Sequence, residues 1–310
     1  MLEMADPAPE VGDGDMETAT ESSWCTRTAS AERSDAEGGD MVLLSIVMPV
    51  YNESETVASA LDRVLAVDYP CPVELIVVDD GSTDGTRNIL ADYASRGVTV
   101  LLQPFNRGKG SAVTRGARKA TGTHMLILDA DLEYHPSDIP SLLAPVLSGI
   151  ADHVFGSRVF GFNTRFPSFR FAVGGRLTTL GANLLFDSCL TDMHTCLKLI
   201  PVQHFRSLRL SESGFGLDTE MTAALLRSGI RPYEVPVTYN GRTASEGKKI
   251  SWWDGVECLR LLAAARLRKP PGLPVGPFAT GANVVAFVAP ADGGDGLLSD
   301  ESAQVARVAP

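Results

Sequence analysis

Between Leu43 and Asp129, short apolar runs alternate with helical patterns, and three of the runs end in acidic or polar clusters. The first run, Leu43 to Tyr51, reads as a strand ending near Pro49. Ser54 to Val67 follows as a helix with Ser54 as its N-cap. Glu74 to Asp79 and Val98 to Leu102 read as strands, with helices at Asp84 to Arg96 and Gly108 to Ala120. A fourth strand runs from His124 to Asp129; an apolar run this short fits a strand covered on both faces. The order βαβαβαβ predicts an α/β chain with a mostly parallel sheet flanked by helices. Ligands of such sheets sit outside the carboxyl ends of the strands. The polar clusters fall there: Tyr51-Asn52-Glu53, Asp79-Asp80-Gly81-Ser82 and Asp129-Ala130-Asp131.

Asp129 and Asp131 lie two residues apart, so in an extended segment they point the same way. Adjacent carboxylates repel, burial worsens this, and a divalent cation relieves it. Mg²⁺ or Mn²⁺ held by one or two carboxylates completes its shell from water and a diphosphate. The plainer alternative is a strand end with acidic turn residues.

Tyr51 has a ring that can stack on a planar base, and Glu53 can accept from base N–H groups; the alternative, favoured for these residues taken alone, is a turn with an ordinary exposed Tyr. In Asp79-Asp80-Gly81-Ser82-Thr83-Asp84, turn and cap chemistry accounts for Gly81, Ser82 and Asp84 but does not require both Asp79 and Asp80. Asn106-Arg107-Gly108-Lys109-Gly110-Ser111 is not a phosphate-binding P-loop, because position 103 is Gln and position 110 is Gly. It reads as a loop opening a helix near the nucleotide. Arg158, Arg176, Arg242, Lys248 and Lys249 are candidate phosphate partners, with a solvated positive surface as the alternative for each. His194 and Cys196 are too few for a zinc site, so a structural or acceptor-side role is expected for their loop.

The second half is less regular. Helices are expected over Pro136 to Leu147, Gly174 to Phe186, Phe215 to Ser228 and Trp252 to Arg268. Strands are expected at Val154 to Arg158 and Arg231 to Tyr239, with a loop from Phe160 to Phe169 and a polar, basic, mobile segment from Gly241 to Lys249. The Trp252 to Arg268 helix is amphipathic and suits either a membrane interface or packing against the core.

Formal net charge is −11, but residues 1–40 alone carry 11 acids against 2 arginines. Residues 41–270 hold 24 bases and 23 acids, which is no electrostatic footprint for nucleic acid. Residues 1–40 are poor in large apolar side chains and are expected to be a disordered acidic tail. Five scattered cysteines without a C-x-x-C pair suit a reduced, cytoplasmic setting. With neither a secretory signal nor an apolar run of membrane-spanning length, the expectation is a soluble or peripherally attached chain.

Ser45-Ile46-Val47-Met48-Pro49-Val50-Tyr51-Asn52-Glu53, Val77-Val78-Asp79-Asp80-Gly81-Ser82-Thr83-Asp84-Gly85-Thr86, Asn106-Arg107-Gly108-Lys109-Gly110 and Asp129-Ala130-Asp131 together resemble family 2 glycosyltransferases. Gly156-Ser157-Arg158 and the Arg242…Lys248 spacing are similar to the dolichol-phosphate mannose synthase group. The resemblance implies a single GT-A-type, Rossmann-like catalytic domain over 41–269, with a flexible tail over 270–310. It also implies an inverting, metal-dependent transfer of a hexose from a nucleotide sugar, of GDP-mannose or UDP-glucose type, to a polyprenyl or dolichyl phosphate at the cytoplasmic membrane face. By position, Pro49, Tyr51, Glu53, Asp80, Asp129 and Ala130 resemble the nucleotide-sugar site. Asp129, Asp131 and Glu133 resemble the metal ligands, with Glu133 standing where Gln is common. Asp131, Arg242 and Lys248 take catalytic positions, the last two as a diphosphate-binding pair, and Arg158 and Arg176 resemble an acceptor-phosphate site. The alternative is a soluble hydroxyl acceptor, which needs a base; Asp218 or Glu220 would supply it, unless both are simply acids favoured at a helix N-terminus. A sugar nucleotidyltransferase is disfavoured because Pro49 to Glu53 is acidic and lacks glycine, and a non-catalytic nucleotide-binding module because the paired aspartates and both basic loop positions are present.

Overall fold

The computed structural model describes residues 41–160, 163–242 and 252–274. The acidic segment 1–40, most of the segment 270–310, Lys248 and Lys249 lie outside these residues.

The first four strands are β1 (Leu44–Val50), β2 (Val73–Asp79), β3 (Thr99–Leu102) and β4 (His124–Ile127), joined by α1 (Val57–Leu65), α2 (Thr86–Ser95) and α3 (Lys109–Lys119). All of β4 and nearly all of β1 and β2 are buried, as strands covered on both faces must be. A short 3₁₀ turn, Pro136–Asp138, leads into α4 (Ile139–Leu147). Then come β5 (Val154–Ser157), β6 (Thr164–Arg165), α5 (Phe169–Phe186), β7 (Lys198–Pro201), α6 (Val202–Ser207), α7 (Leu217–Arg227), β8 (Tyr233–Pro236), β9 (Tyr239–Asn240) and α8 (Trp252–Leu267). Among the described residues the main sheet has the order β3-β2-β1-β4-β7-β5-β8, and β6 pairs with β9 beside it. Every neighbouring pair in the main sheet is parallel except those of β7, which runs antiparallel to β4 and β5.

The expected α/β architecture is therefore present, with local corrections. The first helix starts at Val57, not Ser54. The Ser54 N–H instead donates to Asp84 Oδ2 at 3.0 Å and ties the loop after β1 to the loop after β2. The expected loop over 160–169 contains β6, and α5 begins at Phe169, five residues before the expected start. The single strand expected from Arg231 to Tyr239 is split into β8 and β9. Nothing in the sequence reading anticipates β7 and α6; β7 is four residues long and begins with a lysine.

Two contacts fix the sheet's upper edge. Gly116 lies so close to Val47 on β1 that a Cβ would collide with it, which lets α3 pack directly on the sheet. Gly108 adopts φ +93°, and a Cβ there would strike the Ser213 carbonyl, so the loop ahead of α7 packs against the start of α3. This second contact brings residues from the two halves of the chain to one site.

Candidate active site

The loops after β1, β2 and β4 lie side by side at the carboxyl ends of the parallel strands, because β1 is hydrogen-bonded to both β2 and β4. Asn52, at φ +52°, stitches the first two loops together. Its N–H donates to Ser82 Oγ and its side-chain oxygen accepts from the Thr83 N–H, both at 2.9 Å. The Glu53 N–H donates to Thr86 Oγ1 at 3.0 Å. Tyr51 is 39% exposed at this rim, and Pro49 sits half-buried inside β1.

Asp79 and Asp80 turn out to have internal partners. Asp79 accepts from the Gly81 and Ser82 N–H groups and from Arg87 Nε at 2.7 Å. Asp80 accepts from Gln103 Nε2 at 2.7 Å and from the Arg107 and Gly108 N–H groups, each at 2.8 Å. It is 2% exposed, and its carboxylate shapes the loop opening α3.

Beyond β4, the chain turns sharply through Leu132 at φ +63°, a backbone conformation costly for a side chain of this size and common at functional sites. Asp129, Asp131 and Glu133 flank that turn. Burial first, and then the Asp129 and Glu133 carboxylates, push the Asp131 carboxyl up to about 7. Glu133 faces the opposite segment: Oε2 accepts from Tyr239 Oη and Oε1 from the Arg242 N–H, each at 2.8 Å. Arg242 Nε and Nη2 donate to the Asp131 carbonyl oxygen at 2.9 and 2.6 Å, and Nη2 stands 3.4 Å from Glu53 Oε2. One arginine after β9 thus links the loops after β1 and β4.

Among the described residues, no three His, Cys, Asp or Glu side chains form a metal-holding group. The expected three-carboxylate set is not gathered, because Glu133 is turned to Tyr239 and Arg242. Asp129 and Asp131 remain, and two hard-oxygen donors suit Mg²⁺ or Mn²⁺, which draw further ligands from water and phosphate.

Two lysines given no role of their own in the sequence expectations line this corner. Lys109 Nζ, at the start of α3, lies 2.8 Å from Asp129 Oδ2 and 3.5 Å from Asp218 Oδ2. Lys198 Nζ, at the start of β7, lies 3.4 Å from Asp218 Oδ1. Burial alone would raise the Asp218 carboxyl, but the Lys109 and Lys198 ammonium groups hold it below the usual carboxylate range. Lys109 stands inside the quoted Asn106 to Ser111 motif; Lys198 carries no local signal, since a lysine heading a short apolar run reads as an exposed strand end.

The remaining expected residues lie elsewhere. Glu220 accepts from the Ser211 N–H and hydroxyl and from the Glu212 N–H, at 2.7 to 2.8 Å, and so braces the loop ahead of α7. Arg158 is buried, and Nε and Nη2 grip both oxygens of Asp192 at 2.6 and 2.8 Å. Its guanidinium also lies 4.9 Å from the Tyr239 ring centroid, against the wall behind the site. Arg176 is exposed on α5. His194 bonds Thr178 Oγ1 at 2.6 Å, and burial pushes its imidazole down to about 4, in keeping with a structural role for its loop. Of α8, one side packs on α5 and α7 through buried Cys258, Leu261 and Leu262, while Trp253, Val256 and Leu267 stay exposed.

The sequence profile described as Glycosyl transferase family 2 matches residues 45–200. The chain is 30% identical over 198 residues to glycosyltransferase AglJ of Haloferax volcanii, covering 64% of this chain and 63% of that one. It is 36% identical over 115 residues to the undecaprenyl-phosphate 4-deoxy-4-formamido-L-arabinose transferase of Pectobacterium carotovorum, covering 36% of this chain and 35% of the other. The chain thus spans less than two thirds of the length of these curated relatives. Glucosyl-3-phosphoglycerate synthase of Mycobacterium tuberculosis, solved with Mn²⁺, UDP and phosphoglyceric acid, superposes with a TM-score of 0.54 at 23% identity, over 75% of this chain and 80% of that one. That likeness extends the architecture seen here, a Rossmann-like sheet of GT-A type.

Proposed function

Because the chain belongs to glycosyl transferase family 2, we propose that it moves a hexose, with inversion, from a nucleotide sugar to a polyprenyl phosphate. The observation that carries the reading is the meeting of Glu53, Asp131 and Glu133 on Arg242, with Asp129 beside them, at the carboxyl ends of β1 and β4. Tyr51 and Pro49 border the same rim and would receive the base.

Transfer breaks the bond between the sugar's anomeric carbon and the diphosphate, and forms one from that carbon to an acceptor oxygen. Asp129 and Asp131 would hold Mg²⁺ or Mn²⁺, which supplies neutralisation of the departing nucleoside diphosphate. Arg242 fixes Asp131 from behind through its carbonyl oxygen. Lys248 belongs to the same proposal as a second phosphate partner; it lies outside the described residues.

Two observations support a phosphate acceptor over a hydroxyl. A hydroxyl needs a base to take its proton, and a base works best with a pKa near the working pH. Asp218 is held below the usual carboxylate range by two lysines, and Glu220 is occupied by backbone N–H groups of its own loop. A phosphate monoester is already an anion and needs neither. Secondly, α5 exposes Phe169, Leu177, Leu180 and Leu184 on one stripe, and neighbouring α8 exposes Trp253, Val256 and Leu267. Arg176 lies one turn from Leu180, as a headgroup contact would. No helix among the described residues is long and apolar enough to cross a membrane, so attachment through this face would be peripheral. The named Pectobacterium relative, an undecaprenyl-phosphate sugar transferase, supports the same acceptor class.

The test is incubation of the purified chain with Mn²⁺, undecaprenyl or dolichyl phosphate and radiolabelled UDP-glucose or GDP-mannose. Label in the organic phase supports the proposal. Label transferred only to soluble hydroxyl acceptors, or no transfer from any common donor, refutes it.

A further inference from the structure

Two buried ammonium groups border the proposed donor site and take no part in that transfer. Lys198 is fully buried; its Nζ donates to the Thr195 carbonyl at 2.5 Å, stands 3.4 Å from Asp218 Oδ1 and lies 5.4 Å from the Phe155 ring centroid. Lys109, with a side chain 13% exposed, contacts Asp129 Oδ2 at 2.8 Å and Asp218 Oδ2 at 3.5 Å. Asp218 is therefore shared by two lysines, one of which also grips Asp129. Gathering four charges out of water is costly, and removing one leaves an uncompensated partner.

One ammonium group faces two carboxylates. Lys109 Nζ lies between Asp129 and Asp218, and the two carboxylates compete for it. Asp218 is fixed in place by Lys198, which rises from the rigid centre of the sheet between β4 and β5. We propose that Lys109 is a built-in competitor for the divalent cation at Asp129, and that Asp218, tethered by Lys198, is the alternate counter-ion to which it withdraws. This rests on reading Asp129 as a metal ligand. A bare cation displaces the ammonium from Asp129 with only Asp218, already shared with Lys198, to receive it. A cation arriving with a nucleoside diphosphate brings anionic oxygens that the released ammonium can meet. The arrangement therefore couples cation binding to donor binding, and Lys198 and Asp218 are positioning residues that act through Lys109.

The experiment measures Mn²⁺ binding to the full chain, without nucleotide, by electron paramagnetic resonance of free Mn²⁺. Lys109→Met should lower the Mn²⁺ Kd at least about fivefold, while Asp218→Asn and Lys198→Met, which remove the alternate counter-ion or its tether, should each raise it by a similar factor. A general electrostatic field would give the same signs for Lys109 and Asp218 but the opposite sign for Lys198, and the double variants decide as well. In the Lys109→Met background, adding Lys198→Met or Asp218→Asn should shift the Kd by less than about twofold. Undiminished shifts in that background, or unchanged Kd values in the single variants, overturn the proposal. Should Lys198→Met fail to fold, as judged by thermal unfolding, the near-isosteric Asp218→Asn carries the same comparison. Absence of Mn²⁺ binding in every variant overturns the ligand role of Asp129 itself, an outcome distinct from binding that ignores Lys109.

Discussion

Arg242 reaches Asp131 through the backbone and not through the carboxylate: Nε and Nη2 both donate to the Asp131 carbonyl oxygen, at 2.9 and 2.6 Å. An arginine paired with the carboxylate would have compensated its charge. Bound to the carbonyl, the guanidinium fixes the strained turn at Leu132 and leaves the Asp131 carboxylate for another partner. The same group spans to Glu53 on the first loop.

Arg242→Lys should therefore be strongly impaired although charge is kept. An ammonium on a flexible stem cannot hold the Asp131 carbonyl and Glu53 at once in planar geometry. We expect kcat/KM for sugar transfer to fall about 10²-fold, with a thermal midpoint close to that of the parent chain. Steady-state assay beside thermal unfolding checks both; an active lysine variant would remove Arg242 from the site.

Glu220→Gln separates the two acceptor classes. The amide keeps one acceptor oxygen where three donors from Ser211 and Glu212 now converge. Stability should fall by about 1–3 kcal/mol. Turnover per folded molecule should stay within about threefold, because no proton is transferred to Glu220. A loss of 10²-fold or more at unchanged stability would instead mark it as a general base.

Much of this site was legible from the sequence because strands buried on both faces read as continuous apolar runs. Leu44 to Val50, Val73 to Asp79 and His124 to Ile127 announce themselves, and the acids that follow mark the carboxyl ends. What the acids do was not legible. Glu133 stands beside two aspartates in the sequence, yet its partners Tyr239 and Arg242 lie 106 and 109 residues away. The bonds of Asp80 to Gln103, Arg107 and Gly108 depend on where the loop before α3 folds. The pairing of Arg158 with Asp192, 34 residues on, was hidden for the same reason. Lys198 was invisible, since only the tertiary position of Asp218 makes a fully buried lysine tolerable there.

The exposed stripe on α5 gives a membrane test. Leu177 and Leu184 are 61% and 77% exposed, so replacing both with Asp should leave the fold intact. Each loses about 1.5–3 kcal/mol of favourable burial if the stripe enters a lipid interface. We expect the double variant to bind anionic vesicles at least about tenfold more weakly in a sedimentation assay, while transfer to a short-chain, water-soluble polyprenyl phosphate is retained. Equal vesicle binding by parent and variant would place membrane contact elsewhere.

The last expectation concerns acid stability. His124 heads β4 and is fully buried, and His153 precedes β5 and is nearly so. His153 Nε2 lies 2.9 Å from His204 Nδ1, while His204 Nε2 faces the Pro274 carbonyl at 3.0 Å. A carbonyl only accepts, so His204 donates through Nε2. Burial, then the neighbouring His204, pushes His124 down to about 4; burial, then His204 and His124, pushes His153 down to about 3. Both fall below the unfolded value of about 6.5. Between that value and the depressed ones the unfolded chain binds more protons than the folded one, so stability rises with pH and is lost as pH falls through this window. Each group contributes a slope of about 1.4 kcal/mol per pH unit there, hence about 2 kcal/mol between pH 6.5 and 5. Urea unfolding at pH 7, 6 and 5 should show this decline, and His153→Gln should flatten the slope by the share of one group. A pH-independent midpoint over this range would mean that these imidazoles protonate without disturbing the fold.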